Sequence, residues 1–355
     1  MKIAIVDVAA QTGGAASVLN DFVNALAASP AARKHQWLVL TSVLSVPECA
    51  HVKNLRFPEV KKSRLARLRW ERRVFPRVMR EHGVNVVVSF QNKALPKGPW
   101  RQVVYFQNML LLAKASRFSL LKKEERPYAI YTHIIGPLTR RSWKNACFFA
   151  VPTKVVASVM EKYLPRGAEV MVFPSTIQPH PPVFYGWDEI GGLIYPAGVM
   201  PYKRQAELVN HIRMPEGKKL FLTMTGQENE YAKRVRALTE GRTDILLTGF
   251  LPREEILSGY DHGTYGLIVV SEIESYCVPF AEAMQSGVPI VAADYPYARE
   301  VLGDYENAFF VRPDLGDLNE KVTRAIAAKR CEPVLPTNSS WEGLIAKILE
   351  VGGAE

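Results

Sequence analysis

The stretch VVSEIESYCVPFAEAMQSGVPIVAADYPYARE, residues 269–300, decides the fold. An apolar strand ends at Val270, a polar loop follows, and Pro279 stands where a helix begins, a position at which its missing N–H is harmless. A further strand is read over Pro289–Ala292. Strand, loop, helix and strand in that order predict a parallel sheet wrapped by helices. The backbone amides of Tyr276–Ala281 then lie at a helix N-terminus, where unsatisfied N–H groups and the positive end of the helix dipole both favour a phosphate.

Two carboxylates flank that helix start, Glu274 in the loop and Glu282 in the first turn. A carboxylate beside a diphosphate is unfavourable unless it turns toward hydroxyls, and those are what the sugar and ribose of a nucleotide sugar offer. The spacing is not distinctive by itself, since Glu161 and Glu169 share it, as do Glu342 and Glu350. It gains meaning from the strand, loop, Pro and helix around it.

Working outward, the same alternation fills both halves. Strands are predicted over Ile3–Val8, Val84–Ser89, Gln102–Phe106 and Cys147–Val151, with Thr153 capping a helix over Lys154–Leu164. After an aperiodic, Pro- and Gly-rich linker at 174–192 the pattern restarts with Leu193–Tyr195, Leu220–Thr225, Ile245–Thr248 and Gly266–Val270. Ser340 is a candidate cap for a last helix carrying Trp341, Leu344 and Ile348, long enough to pack on either domain.

At 355 residues the chain exceeds what one core usually supports, and 48% hydrophobic with 23% charged residues argues against disorder. No apolar run approaches the roughly 18 residues of a membrane span, and Asp7 and the Gly13-Gly14 pair break any resemblance of the N-terminus to a signal peptide. Cys49, Cys147, Cys277 and Cys331 are too scattered for a zinc site or a disulfide framework, so a cytoplasmic location is expected. No G-x-S-x-G and no paired His suggest a hydrolase or metal site. Residues 1–180 carry 28 Lys and Arg against 10 Asp and Glu, whereas the remainder carries 17 against 25. The basic half suits an anionic partner. Residues 61–83, KKSRLARLRWERRVFPRVMREHG, read as a basic amphipathic segment on anionic lipid or, alternatively, as a helix packed on the first domain. Residues 109–126 read either as an acceptor-groove or bilayer segment or as a core helix with a charged rim. Nucleic acid is not expected, because no recognition module accompanies the charge.

ESYCVPFAE followed by AMQSGVPIVAADYPYAREV resembles the signature of family 4 glycosyltransferases, the retaining GT-B enzymes that include many transferases of capsule and O-antigen assembly. The resemblance covers most of residues 190–312 and, more loosely, the first strand and its glycine turn. It implies an α/β GT-B fold, two Rossmann-like doubly wound domains facing a cleft. These would be an acceptor-side domain over 1–178, a nucleotide-sugar domain over 190–335, and a C-terminal helix over 338–351 with a place against the N-terminal domain. In IYPAGVMPYKRQAEL it puts a turn at Gly198 and assigns Lys203 to the donor diphosphate, with Arg204 as potential help because Val199 stands where the family often has Arg. A fixed cation there replaces a metal ion, so no metal and no cofactor are expected. LTGFLPREEI suggests backbone of Phe250 and Leu251 near the nucleobase, and Gly226, Ser275, Tyr276, Cys277 and Val278 complete the implied donor set. Cys277 replaces a common Gly.

In the first domain the resemblance brings Gly14 close to substrate and puts Gln107 where many members have a His near the sugar. The implied catalytic set is Glu274, Lys203 and Gln107. The implied activity is retaining, metal-independent hexosyl transfer from a nucleotide diphosphate sugar to a saccharide acceptor, lipid-linked, in bacterial capsule, O-antigen or lipopolysaccharide assembly. Peripheral contact with the inner face of the plasma membrane would go with it. The competing readings are a non-catalytic or membrane-recruited pseudo-transferase and a nucleotide-sugar epimerase.

Overall fold

A computed structural model of the chain describes residues 1–11, 13–114, 117–174, 187, 189–334 and 339–353. Most of the expected linker, 175–186 and 188, lies outside the described residues, as does the side chain of the expected cap Ser340. The chain divides into two compact units. The first comprises Met1–Leu112, Tyr131–Ile177 and Thr337–Glu355, and the second Ala113–Ile130 and Gln178–Pro336. The stretch Ala113–Ile130 therefore groups with the second unit, not with the expected 1–178 domain. Phe118 and Tyr128 pack their rings on Tyr202, and Glu124 pairs with Arg234 at 2.9 Å.

The first unit holds β1 (Lys2–Asp7), β2 (Gln36–Thr41), β3 (Val52–Arg56), β4 (Val86–Ser89), β5 (Arg101–Tyr105), β6 (Phe148–Val151) and β7 (Glu169–Val172) in the order β3-β2-β1-β4-β5-β6-β7. All neighbours run parallel. The inner strands are nearly continuous Val, Ile and Leu because both faces are covered. One face meets helix Gly14–Ala28 through Leu19, Phe22 and Val23 and the C-terminal helix Ser339–Gly352 through Trp341, Leu344, Ile345 and Ile348. The opposite face meets Trp70, Phe75 and Met79.

The second unit holds β8 (Gly192–Tyr195), β9 (Lys219–Leu222), β10 (Ile245–Leu247), β11 (Gly266–Val269), β12 (Ile290–Ala293) and β13 (Ala308–Val311) in the order β10-β9-β8-β11-β12-β13, again all parallel. Both sheets are doubly wound, as expected. Four strands that the sequence did not announce complete them: β2, β3, β7 and β13. β3, β7 and β13 are edge strands with half-exposed or mixed patterns, so their apolar signal is weak. Thr153 does cap its helix, accepting from Val156 N–H at 3.2 Å, but the α-helix stops at Met160 and tightens to a 3₁₀ turn.

In each sheet the winding direction reverses beside the first strand, between β1 and β4 and between β8 and β11. Chain crossovers leave that point in opposite directions, which opens a crevice at the carboxyl ends of the two strands.

Candidate functional site

In the second unit the loops leaving β8 and β11 meet at the switch point. Lys203 ends a 3₁₀ turn, Pro201–Lys203, after β8, and Glu274 lies in the loop after β11. Their side chains form an ion pair, Lys203 Nζ on Glu274 Oε1, and both are largely shielded from solvent. The turn is fixed from beneath: Tyr195 at the end of β8 donates its hydroxyl to Lys203 O at 2.7 Å, and Glu272 N–H donates to Tyr202 O at 2.9 Å. Tyr195 is buried, and burial, with Glu274 adding to it, holds its phenol well above the usual range, so it acts as a fixed donor.

Helix Val278–Gln285 starts right after that loop, with Pro279 in its first turn. Its N-cap, Cys277, has no side-chain capping bond and adopts φ 68°, a left-handed conformation that glycine reaches freely and other residues only at a cost. This explains why glycine suits the position. No acidic residue occupies the first turn to compete with an anion, and Phe280 N–H donates to Cys277 O at 2.9 Å. Burial raises the Cys277 thiol well above its ordinary pKa, and the Glu274 carboxylate pushes the same way, which leaves it neutral and unreactive. Ser275 and Tyr276 line the approach as half-buried residues, and Val278 opens the helix.

Glu282, on the same helix, is buried and accepts from Arg253 Nε at 2.6 Å. Arg253 begins helix Arg253–Asp261 and was not anticipated from the sequence. The FLPREE stretch was read for its backbone, and nothing in the spacing of residues 29 apart announces the pair. Phe250 is 84% exposed while Leu251 packs on the core, so the two offer different surfaces to a base.

Two expected helpers are engaged elsewhere. Arg204, also left-handed at φ 59°, donates to Tyr295 Oη at 3.2 Å and Pro313 O at 2.8 Å and lies 3.9 Å from Glu272. It faces this cluster rather than Lys203's ion pair. Gly226 N–H donates to Glu228 Oε2 at 3.0 Å in a nest that also includes the Thr225 and Gln227 amides. Burial opposes ionisation of Glu228, but these amides outweigh it and hold the carboxyl below its usual range. Gly198 O accepts from Gln205 at 2.9 Å, fixing the turn after β8.

Gly14 and Gln107 belong to the first unit. Gly14 is the first residue of helix Gly14–Ala28, and a Cβ there would meet nothing within 4 Å. Gln107 follows β5, its N–H donating to Asn92 Oδ1 at 2.7 Å and its side chain to Phe90 O at 3.4 Å. The basic run at 61–83 divides. Trp70, Phe75 and Met79 are core residues, whereas Leu65 is 78% exposed and Leu68 outward among arginines. A five-residue π-turn, Trp70–Val74, shifts the helical phase between them. In the 109–126 segment Leu110, Leu111 and Leu112 are buried and Leu120 and Leu121 exposed. All four cysteines are free thiols. Among the described residues no group of three His, Cys, Asp or Glu is arranged to hold a metal, and no helix is long and apolar enough to cross a membrane.

Two doubly wound, parallel-sheet α/β domains place the chain in the GT-B class of fold. Residues 193–333 match the family described as Glycosyl transferases group 1. Solved structures agree in fold over the whole length. Sucrose-phosphate synthase from Thermosynechococcus elongatus superposes with a TM-score of 0.68 at 15% identity, covering 99% of this chain and 94% of that one. WaaG, a glycosyltransferase involved in lipopolysaccharide biosynthesis, gives 0.62 at 13% identity, covering 100% and 96%. Anabaena HepE, solved in complex with UDP and glucose, gives 0.62 at 14% identity, covering 99% and 97%. No curated protein matches the chain by sequence.

Proposed function

We propose that the chain is a metal-independent, retaining hexosyltransferase that moves a sugar from a nucleotide diphosphate donor to a lipid-linked saccharide in the assembly of a bacterial surface polysaccharide. One observation carries this reading: Lys203 and Glu274 meet at the switch point beside the bare helix start that bears Glu282, within the stretch matching the group 1 family. The UDP and glucose held by HepE support a nucleotide sugar as donor.

On donor binding Lys203 exchanges its Glu274 partner for phosphate oxygens, joined by the amides at the start of helix Val278–Gln285. Glu274, released, turns to sugar hydroxyls, and Glu282 holds the ribose hydroxyls. As the bond between the anomeric carbon and the phosphate oxygen breaks, Lys203 and the amides stabilise the charge gathering on the leaving diphosphate. The acceptor oxygen bonds to the same face of the anomeric carbon, and its proton passes to the leaving phosphate oxygen. Gln107 and Gly14 are proposed to meet the sugar and acceptor from the first unit. The exposed Leu65 and Leu68 beside the exposed Arg64 and Arg69 support peripheral contact with an anionic bilayer.

The test is a panel of nucleotide sugars scored for thermal stabilisation and donor hydrolysis, with and without EDTA. One donor should stabilise the protein and be hydrolysed equally in both. A panel with no binder would end the proposal. Pelleting with anionic liposomes, strong at low salt and weaker at high salt, tests the membrane contact.

A further inference from the structure

The carboxyl edge of the first sheet has a polar cluster at its own switch point. Asp7 closes β1. Its register partner on β2 is Thr41, followed by Ser42, and on the other side Val6 pairs with Ser89, two residues before Gln91. At the ends of these three adjacent strands lie three buried polar atoms without a protein partner among the described residues: Asp7 Oδ2, Ser42 Oγ and Gln91 Nε2. Asp7 is 1% exposed and Gln91 7%. The remaining atoms of both carboxyl and amide are engaged. Asp7 Oδ1 accepts from Ala9 and Ala10 N–H at 3.1 and 3.0 Å, and Gln91 Oε1 accepts from Arg67 at 2.7 Å. Each buried polar group left unpaired costs about 1–3 kcal/mol, and packing alone gives no reason to gather three at the one edge where α/β sheets bind ligands.

Cations surround them. Lys61 Nζ donates to Ala9 O at 2.7 Å, in the turn that Asp7 caps. Arg67 Nε and Lys93 Nζ lie 3.0 and 2.5 Å from the same Glu71 oxygen. Three cations thus meet two carboxyl groups, and Lys61 is bonded to a neutral carbonyl. The balance is positive, with hydrogen-bond donors and acceptors in reserve. Burial also raises the Asp7 carboxyl to about 6, opposed by the two amides and by Arg67 and Lys61, a perturbation typical of functional positions.

We propose that this edge binds an anionic sugar, with hydroxyls on Asp7, Ser42 and Gln91 and a phosphate or carboxylate on Lys61 and Arg67. The inference rests on the transferase reading only in naming that sugar as acceptor; binding to the first unit does not require it.

The experiment is calorimetric titration of the full chain with glucose 1-phosphate, glucuronate, glucose and inorganic phosphate, each with UDP present in excess. Glucose 1-phosphate or glucuronate should bind saturably and about tenfold more tightly than glucose or phosphate, and whichever does names the anion. Lys61→Met and Arg67→Gln should each weaken that binding about tenfold. Gln91→Leu should weaken the anionic sugar but not inorganic phosphate. UDP binding, measured separately, should be unchanged in all three, so its absence would count against the transferase reading alone. Should a variant misfold, acetylation of Lys61 in the unaltered protein, followed by mass spectrometry, should slow when the anionic sugar is added. No saturable binding, phosphate binding as tightly as the sugar anion, or unaltered affinity in the folded variants would overturn the proposal.

Discussion

Arg253 donates its Nε–H to Glu282 Oε1 at 2.6 Å, joining the start of helix Arg253–Asp261 to the second turn of helix Val278–Gln285, one turn later than the sequence placed Glu282. The carboxylate is buried, and among the described residues its partner also leaves Nη2 buried and without an acceptor. A buried Glu held by an arginine is fixed in place, which suits it to accept from ribose hydroxyls. Removing the cation leaves that charge uncompensated. Arg253→Met should therefore lower stability by about 1–3 kcal/mol, read by urea denaturation, and weaken nucleotide binding. Glu282→Ala should weaken nucleotide binding with a smaller loss of turnover at saturating donor. Equal nucleotide affinity in all three proteins would remove Glu282 from the site.

The Lys203–Glu274 pair should behave differently, because Lys203 is assigned to charge that develops only as the bond breaks. Lys203→Met is expected to lower kcat about 100-fold once a donor is known, with KM for donor moving less. Glu274→Ala should also act mainly on kcat. A pure KM effect in both would mean that the pair merely binds.

Cys277 offers a test by stability order. At φ 68° a Cβ is strained, so Cys277→Gly should be more stable than Cys277→Ala by about 1 kcal/mol, the reverse of the order inside a helix. Thermal unfolding of the two variants decides it. Because burial keeps the thiol protonated, Cys277 should also react more slowly with a thiol reagent than the exposed Cys147.

What was legible in the sequence was local. Glu274, Cys277 and Glu282 could be placed because one strand, one loop and one helix with Pro279 at its start fix them within a few residues. Lys203 came from the resemblance of its segment to the family, and it ends the 3₁₀ turn after β8. Arg253 could not, since its meaning comes from a partner 29 residues away. Arg204 looked like a spare phosphate ligand, but its left-handed backbone directs it to Tyr295 and Pro313. The basic run left two readings open for a related reason. The π-turn at Trp70–Val74 breaks its period, so Trp70 and Phe75 turn into the core while Arg67 reaches Gln91 and Glu71 at the sheet edge. Charge and hydropathy counts detect such a segment but not which face each residue takes.

Asp7 gives the last prediction. Burial raises its pKa to about 6 in the folded chain, against the Ala10 and Ala9 amides and the Arg67 and Lys61 charges. Unfolded, it titrates near 4. Between those values the folded state holds the proton that the unfolded state has lost, so stability is greatest below pH 4 as far as this group is concerned. It is lost as pH rises through about 6, at about 1.4 kcal/mol per pH unit. Asp7→Asn cannot ionise and still presents an oxygen to the two amides. The variant should therefore be more stable than the parent at pH 7.5, and the difference should shrink as pH falls to 5. Urea denaturation of both proteins across that interval reads the effect directly. A difference that stays constant with pH would show that Asp7 keeps an ordinary pKa and that its charge is compensated in the folded chain.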